Sequence, residues 1–299
     1  MDHKPIFNLG LIGWPVEHSL SMAIHDAALN ASKLSGEFRL YPVPPTIAGK
    51  NRLGTLLDRM RAGEIQGLNV TVPHKQNVIP FLDSLSAEAG EIGAVNTIAL
   101  KRGRLVGENT DARGFLDDLK QQIPGKTSGS SALILGAGGA ARAAAFALTR
   151  EGWEVTVAAR RYTQAEALVA DLSVGGRYHV SAVPLTKDAF GGRLFRLLVN
   201  ATPVGMAPHA LESPWPVNLP FPEGCFVYDM VYNPRDTVFV KQARLAGLTA
   251  RSGLGMLAAQ AALSFEIWTG LPAPRPQMMK AADDALKLAP SLQEANHAA

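Results

Sequence analysis

The sequence predicts an α/β protein of two domains, an N-terminal α/β domain followed by a doubly wound parallel sheet with helices on both faces. Three observations predict it. The chain has 299 residues, a length that suggests two domains. Short apolar runs alternate with stretches of helical spacing along nearly all of it. In its middle, the apolar run Ser131–Leu135 stops at a glycine cluster, Gly136-Ala137-Gly138-Gly139-Ala140-Ala141. An alanine-rich stretch of helical composition then runs to Gly152, and a second β run, Glu154–Ala159, follows.

That cluster fits G-x-G-x-x-A in the strand–turn–helix–strand context of dinucleotide binding. Gly136 allows a sharp turn, and Gly138 allows backbone N–H groups to approach a pyrophosphate at the helix N-terminus. Ala141 keeps helix and strand close. A tight turn without a ligand would use the same glycines, so the flanking elements carry the argument for a nucleotide.

Net charge is +3 with no long run of one sign, which argues against nucleic-acid or membrane partners. A modest positive balance suits an anionic substrate or cofactor. The single Cys225 excludes an internal disulfide framework and offers no cysteine-rich metal site, and no metal is expected. The opening MDHKPIFNLGLIG lacks the apolar core of a signal peptide, and no run reaches the roughly 18 apolar residues of a membrane span. The expected location is cytoplasmic.

Taken in order, Phe7–Ile12 is an apolar run ending at Gly13, hence a buried strand, and a helix is expected near Met22–Lys33, capped by Ser19 or Ser21. Glu37–Val43 alternates like a strand, Asn51–Ala62 has helical spacing, and Gly67–Val72 is a strand stopped by Pro73. Helices are expected at Lys75–Leu82 and Ser86–Ile92, then strands at Ala94–Leu100 and Leu105–Gly107. Residues Ala112–Gln121 form the next helix, and Pro124–Ser130 is a polar linker. Beyond the central unit, strands are expected at Tyr178–Ala182, Leu194–Asn200, Cys225–Met230 and Leu248–Arg251, completing one doubly wound sheet. Thr202–Gly224 is a Pro- and Gly-rich loop, Met256–Trp268 an apolar helix that returns to the first domain, and Ser291–Ala299 a frayed tail.

Four polar clusters sit at ends of the first domain's strands, where open α/β sheets collect ligands. In His18-Ser19-Leu20-Ser21 the two hydroxyls point the same way, towards a carboxylate or a diol, unless they only cap the helix. In Asn69-Val70-Thr71-Val72-Pro73-His74-Lys75, Asn69 and Thr71 share one strand face and Lys75 follows a proline turn. Asn96 stands in a largely apolar strand, where an unpartnered amide would be costly. Asp111, in Asn109-Thr110-Asp111, either caps the next helix or faces Lys75 where the first domain hands over to the second. Such a Lys–Asp pair suits proton transfer to or from an alcohol oxygen while a hydride moves to a nicotinamide. At the end of the second nucleotide strand stand Arg160 and Arg161 and no acid, which suits a 2′-phosphate and hence NADP(H) unless they are merely solubilising charges.

With these motifs in hand, the chain resembles the shikimate dehydrogenase family nearly end to end. The strings IGWPVEHSLS, NVTVPHK, GAVNT, ENTD, GAGGAARA, NATPVGM, YDMVYNP and GLGMLAAQAA carry the likeness in that order. The resemblance implies a reversible NADPH-dependent reduction of 3-dehydroshikimate to shikimate, in aromatic amino-acid biosynthesis. It also implies that Ser19 and Ser21 bind the substrate carboxylate, that Thr71, Asn96 and Gln260 hold hydroxyls, that Asn69 and Tyr232 support them, and that Lys75 and Asp111 are the catalytic pair. Gly136, Ala137, Gly138, Gly139, Ala140 and Ala141 would take the pyrophosphate, and Thr202, Met230, Gly253 and Met256 the nicotinamide end. The implied division is a substrate domain of residues 1–110 plus 253–299, and a Rossmann-type NADP domain of 111–252, in a monomer or homodimer.

Departures from the family pattern are Met22 and Asp26, read as structural, and Ala159-Arg160-Arg161 with Gln164, where Asn-Arg-Thr with a later Arg is usual. Two rivals remain: a quinate/shikimate dehydrogenase with looser cofactor choice, and a non-catalytic NADP(H)-sensing regulator. Ser21 favours shikimate in the first case, and retention of Lys75 and Asp111 argues against the second.

Overall fold

The computed structural model describes residues 5–123, 128–173, 178–190, 193–207 and 209–288. They form two compact units, one comprising residues up to Gly114 together with those from Leu257 onward, the other Phe115–Met256.

The first unit is built from β1 (Ile6–Gly13), α1 (Ser21–Ala31), β2 (Ser35–Pro42), α2 (Ile47–Arg61), β3 (Gly67–Val70), β4 (Ser84–Leu85), α3 (Ala87–Ile92), β5 (Thr97–Lys101) and β6 (Arg104–Glu108). Its mixed sheet has the order β2-β1-β3-β5-β6-β4. β1 is parallel to β2 and β3, whereas β5 is antiparallel to β3 and β6. Strand β1 reads as a near-continuous apolar run because a parallel strand covered on both faces must bury both sets of side chains. On α2, Leu53, Leu56, Leu57 and Met60 make one stripe that packs with Ile12, Leu68 and Ile98.

The second unit follows α4 (Asp111–Gln122), which starts in the first. It holds β7 (Ser131–Leu135), α5 (Gly139–Arg150), β8 (Glu154–Ala159), α6 (Tyr162–Leu172), β9 (Val180–Pro184), α7 (Lys187–Phe190), β10 (Leu197–Asn200), β11 (Phe226–Asp229), α8 (Val238–Leu245) and β12 (Ala250–Ser252). All six strands are parallel, in the order β12-β11-β10-β7-β8-β9. That is the doubly wound order, and its reversal point lies between β7 and β10. Leu133, Leu198, Val227 and Phe239 form the centre of its core.

Helices α9 (Leu254–Thr269) and α10 (Arg275–Leu288) close the described chain. From Leu257 onward they belong to the first unit, and α10 packs on α1. Trp268 on α9 lies directly over Gly67, where any Cβ would collide with the indole, and its Nε1 donates to the Ile98 carbonyl at 3.0 Å. Asp26 ties α1 to β2 by accepting the Phe38 N–H at 3.1 Å, a structural use of a departure from the family pattern.

Four expectations are corrected. Lys75–Leu82 is not an α-helix but a run of turns with a single 3₁₀ turn at Ile79–Phe81, because Pro80 lacks the N–H that an α-helical bond to Gln76 requires. Strand β3 ends at Val70, so Thr71 lies beyond it, and β5 begins at Thr97, so Asn96 stands just before it. Ser21 is the first residue of α1 and does not cap it, the N-cap Leu20 makes no side-chain cap bond, and Ser19 Oγ accepts the Ser21 N–H at 3.3 Å. Most of the Pro124–Ser130 linker and all of the Ser291–Ala299 tail lie outside the described residues.

One buried group sets a pH dependence. His25 on α1 is wholly buried and stacks on Phe38, with ring centroids 4.4 Å apart. Neither of its ring nitrogens, nor the neighbouring Asn69 Oδ1, has a hydrogen-bond partner among the described residues. Burial pushes its pKa down to about 3. The folded imidazole therefore holds a proton less tightly than the unfolded one. Stability from keeping it neutral is complete above pH 6.5 and is lost as pH falls towards 3. We expect His25→Phe to be neutral or stabilising at pH 7.5. Its advantage should grow by up to about 1.4 kcal/mol per pH unit below 6.5. Thermal melts at pH 7.5 and 5 check this, and a constant difference in Tm would contradict it.

Candidate active site

The first unit gathers its polar residues around Asn96. Lys75 is carried by the turn after β3, where its own carbonyl accepts the Val95 N–H at 2.7 Å. Its Nζ donates to Asp111 Oδ2 at 2.6 Å, with the lysine side chain 14% and the aspartate 5% exposed. Among the described residues the ammonium has no other hydrogen-bond partner, which leaves two N–H donors. The other carboxylate oxygen, Asp111 Oδ1, accepts from Asn96 Nδ2 at 2.9 Å.

Asp111 is the first residue of α4, but it does not cap it. Asn109 does: its Oδ1 accepts the N–H groups of Asp111 and Ala112 at 3.0 and 3.2 Å, and its Nδ2 donates to the Ala94 carbonyl at 2.8 Å. The carboxylate of Asp111 is thereby free to face Lys75, in a helix first turn that favours negative charge. Asn96 Oδ1 accepts the Thr110 N–H at 2.7 Å, and Asn96 Nδ2 also reaches Thr110 Oγ1 and Gln260 Oε1 at 2.8 and 3.2 Å.

Asn69 faces inward. Its Nδ2 donates to the Asn96 carbonyl, Thr97 Oγ1 and Ser264 Oγ, all within 3.1 Å. Ser264, fully buried on α9, also meets Thr97 Oγ1 at 2.8 Å and Thr110 Oγ1 at 3.2 Å. It is the residue sequence reasoning missed. The available signal was its place four residues after Gln260 in an otherwise apolar helix, on the same face.

Ser19 and Ser21 are brought together, Ser19 Oγ donating to Ser21 Oγ at 3.1 Å. The Thr71 hydroxyl is half-buried and has no partner among the described residues. Lys75, Asp111, Asn69, Asn96 and Gln260 are thus one bonded cluster, whereas Tyr232 is half-buried in the second unit, after β11.

In the second unit, Gly136 takes φ +110° at the end of β7, and a Cβ there would sit 3.0 Å from Thr202 Cγ2. Gly138 is the N-cap of α5, makes no side-chain cap bond and has open space where a Cβ would point. The first N–H groups of α5 therefore have no side-chain cap, as an anion site requires. Ala141 is buried against the sheet. Arg160 and Arg161 are exposed, with no ion-pair partner among the described residues. Thr202 and Met230 are joined through Asn200, and Gly253 passes so near Met230 that a Cβ would fall 2.7 Å from its carbonyl oxygen. Met256 is buried nearby in sequence, in the first turn of α9.

The chain is similar to known proteins in sequence and fold. The Shikimate dehydrogenase substrate binding domain profile matches residues 11–98, and the Shikimate 5'-dehydrogenase C-terminal domain profile matches 253–282. The chain is 42% identical over 287 residues to the Shikimate dehydrogenase (NADP(+)) of Methanopyrus kandleri, covering 93% of this chain and 96% of that one. The chain belongs to the shikimate dehydrogenase family. Among solved structures it is similar to the shikimate 5-dehydrogenase from Thermus thermophilus in complex with NADP(H) and shikimate, at 42% identity and TM-score 0.79, covering 93% of this chain and 99% of that one. It is also similar to the quinate dehydrogenase from Corynebacterium glutamicum in complex with NAD, at 31% identity and TM-score 0.82, covering 94% and 100%. The two family profiles span every member of the Asn96 cluster except the Asn109–Asp111 turn.

In this family member, Ser264→Ala should remove one shared partner from the Asn69 amide and the Thr97 and Thr110 hydroxyls, each of which keeps a bond to Asn96 or its carbonyl. The expected loss is about 0.5–1.5 kcal/mol of unfolding free energy. Urea denaturation checks it, and a loss below about 0.5 kcal/mol would show that Ser264 is not the link between these groups.

Proposed function

We propose that this chain catalyses the reversible NADPH-dependent reduction of 3-dehydroshikimate to shikimate. The observation that carries the reading is the Lys75–Asp111 ion pair, held from behind by Asn96 and left with two ammonium donors. The first unit takes the substrate: Ser19 and Ser21 bind its carboxylate, Thr71, Asn96 and Gln260 hold its hydroxyls, and Asn69 supports them, while the supporting role of Tyr232, a residue of the second unit, rests on the family resemblance alone. Lys75 Nζ gives a proton to the carbonyl oxygen in the reducing direction and takes it from the alcohol in the other. Asp111 keeps the lysine oriented.

The residues of the second unit fit NADP(H). The uncapped start of α5, over Gly136–Ala141, suits the pyrophosphate, and Arg160 and Arg161, exposed and without an ion-pair partner among the described residues, suit the 2′-phosphate. Thr202, Met230, Gly253 and Met256 line the nicotinamide end. When bound, the cofactor supplies or accepts the hydride. The proposed setting is a cytoplasmic monomer or homodimer without nucleic-acid or membrane partners. A net charge of +3 without a long run of one sign gives no pull towards nucleic acid, and among the described residues no helix is long and apolar enough to cross a membrane.

A second reading, oxidation of quinate with NAD, draws on the likeness to the Corynebacterium glutamicum enzyme. One activity matrix separates the two: shikimate and quinate, each with NADP and NAD, run on native protein and on a variant with Arg160→Ala and Arg161→Ala. Native protein should be fastest with shikimate and NADP. The variant should lose NADP-linked activity strongly, each charge-assisted contact contributing about 1.5–3 kcal/mol, with NAD-linked activity nearly unchanged. Quinate with NAD as the best pair would favour the second reading, and no turnover with any pair would overturn both.

A further inference from the structure

Asn200 and Asp229 end the strands β10 and β11, and the proposed chemistry uses neither, yet both are completely buried. Asp229 Oδ1 accepts Asn200 Nδ2–H at 2.8 Å and the Val231 N–H at 3.0 Å, and its Oδ2 accepts the Thr237 hydroxyl at 2.6 Å. All three partners donate, so the group is bonded as an anion although burial pushes its pKa up to about 6. A buried carboxylate of this kind persists only where its lone pairs are filled.

The carboxylate also decides which way an amide points. Facing an acceptor, Asn200 must turn its Nδ2 towards Asp229, from where it also donates to the Val204 carbonyl at 3.1 Å. Its Oδ1 is then left for the Thr202 loop, accepting the Thr202 N–H at 3.0 Å and the Thr202 hydroxyl at 2.7 Å. Thr202 Oγ1 in turn accepts the Val204 N–H at 3.2 Å. The same loop lies against Thr237: Gly205 has φ +98°, and a Cβ there would be 3.4 Å from Thr237 Cγ2. On the other side the Asn200 carbonyl accepts the Met230 N–H at 2.9 Å. One charge therefore organises Thr202 and Met230 together.

We propose that Asp229 is a positioning residue for the cofactor. Through Asn200 it holds the Thr202–Val204 turn, and directly the turn after Met230, in the shape that receives the nicotinamide end of NADP(H). This rests on the NADP(H) reading above. The adenine and 2′-phosphate end, assigned to Arg160 and Arg161, lies outside this network.

The test is calorimetric titration with two probes: NADPH, and adenosine 2′,5′-bisphosphate, which has the phosphate but no nicotinamide. It is run on native protein, Asp229→Asn, Thr237→Val and Thr237→Ser, each checked for folding by circular dichroism. Asp229→Asn and Thr237→Val should weaken NADPH roughly tenfold while adenosine 2′,5′-bisphosphate stays within about twofold. Thr237→Ser, which keeps the hydroxyl, should behave as native. Equal weakening of both probes would mean general loosening of the unit and would overturn the proposal, as would unchanged NADPH binding in Thr237→Val. If Asp229→Asn does not fold, the two Thr237 variants decide by the same criteria. Native protein that binds neither probe would remove the NADP(H) reading itself, and this inference with it.

Discussion

Burying a lysine beside an aspartate is unfavourable unless the two are closely paired and the carboxylate's second oxygen is also bonded, and the first unit is arranged around that constraint. The ion pair of Lys75 and Asp111 stands at 2.6 Å with both side chains largely out of water. Asn96 fills the second carboxylate oxygen, Asn109 takes over the capping that Asp111 would otherwise perform, and the α4 helix start adds a favourable field. Asn96 in turn is held by Thr110 and Gln260, and the hydroxyls of Thr97 and Ser264 stand behind it. A chain of neutral amides and hydroxyls thus ends in one exposed-enough ammonium.

The second unit meets the same kind of constraint with a different device. Donors are left unpaired there, as the proposed NADP(H) site would need: Gly138 provides no side-chain cap for α5, and two guanidiniums carry no carboxylate partner among the described residues. Where it does bury a charge, at Asp229, three donors close around it. The doubly wound order sets β7 beside β10, so the Gly136 turn and the Thr202 loop become neighbours without being close in sequence.

Much of this was legible in the sequence because it is local. The apolar runs and the glycine turn each announce themselves within a few residues, and the clusters at strand ends contain both members of the ion pair. Other features were hidden for physical reasons. Pro80 sits in a stretch whose apolar spacing imitates a helix, so Lys75–Leu82 reads as one without being one. Helix α10 buries little more than Met278 and Ala282, too thin a stripe to signal itself. Ser264 bonds to Asn69 across 195 positions of chain, so no window could pair them. Which of Ser19, Ser21 and Asp111 caps a helix also needed coordinates, since Ser19 takes the first N–H of α1 while Asn109 takes those of α4.

The central claim is that Lys75 and Asp111 work as one unit, and a double-mutant cycle on turnover measures it most directly. Lys75→Met, Asp111→Asn and the double variant would be compared with native protein under saturating shikimate and NADP, with folding followed in parallel. Each single change should lower kcat by about 10²–10⁴-fold, the range expected of general acid–base help. The double variant should be little slower than the slower single one, because the second change removes nothing that still functions. Losses that multiply would show two independent residues, and near-native turnover in Lys75→Met would contradict the account.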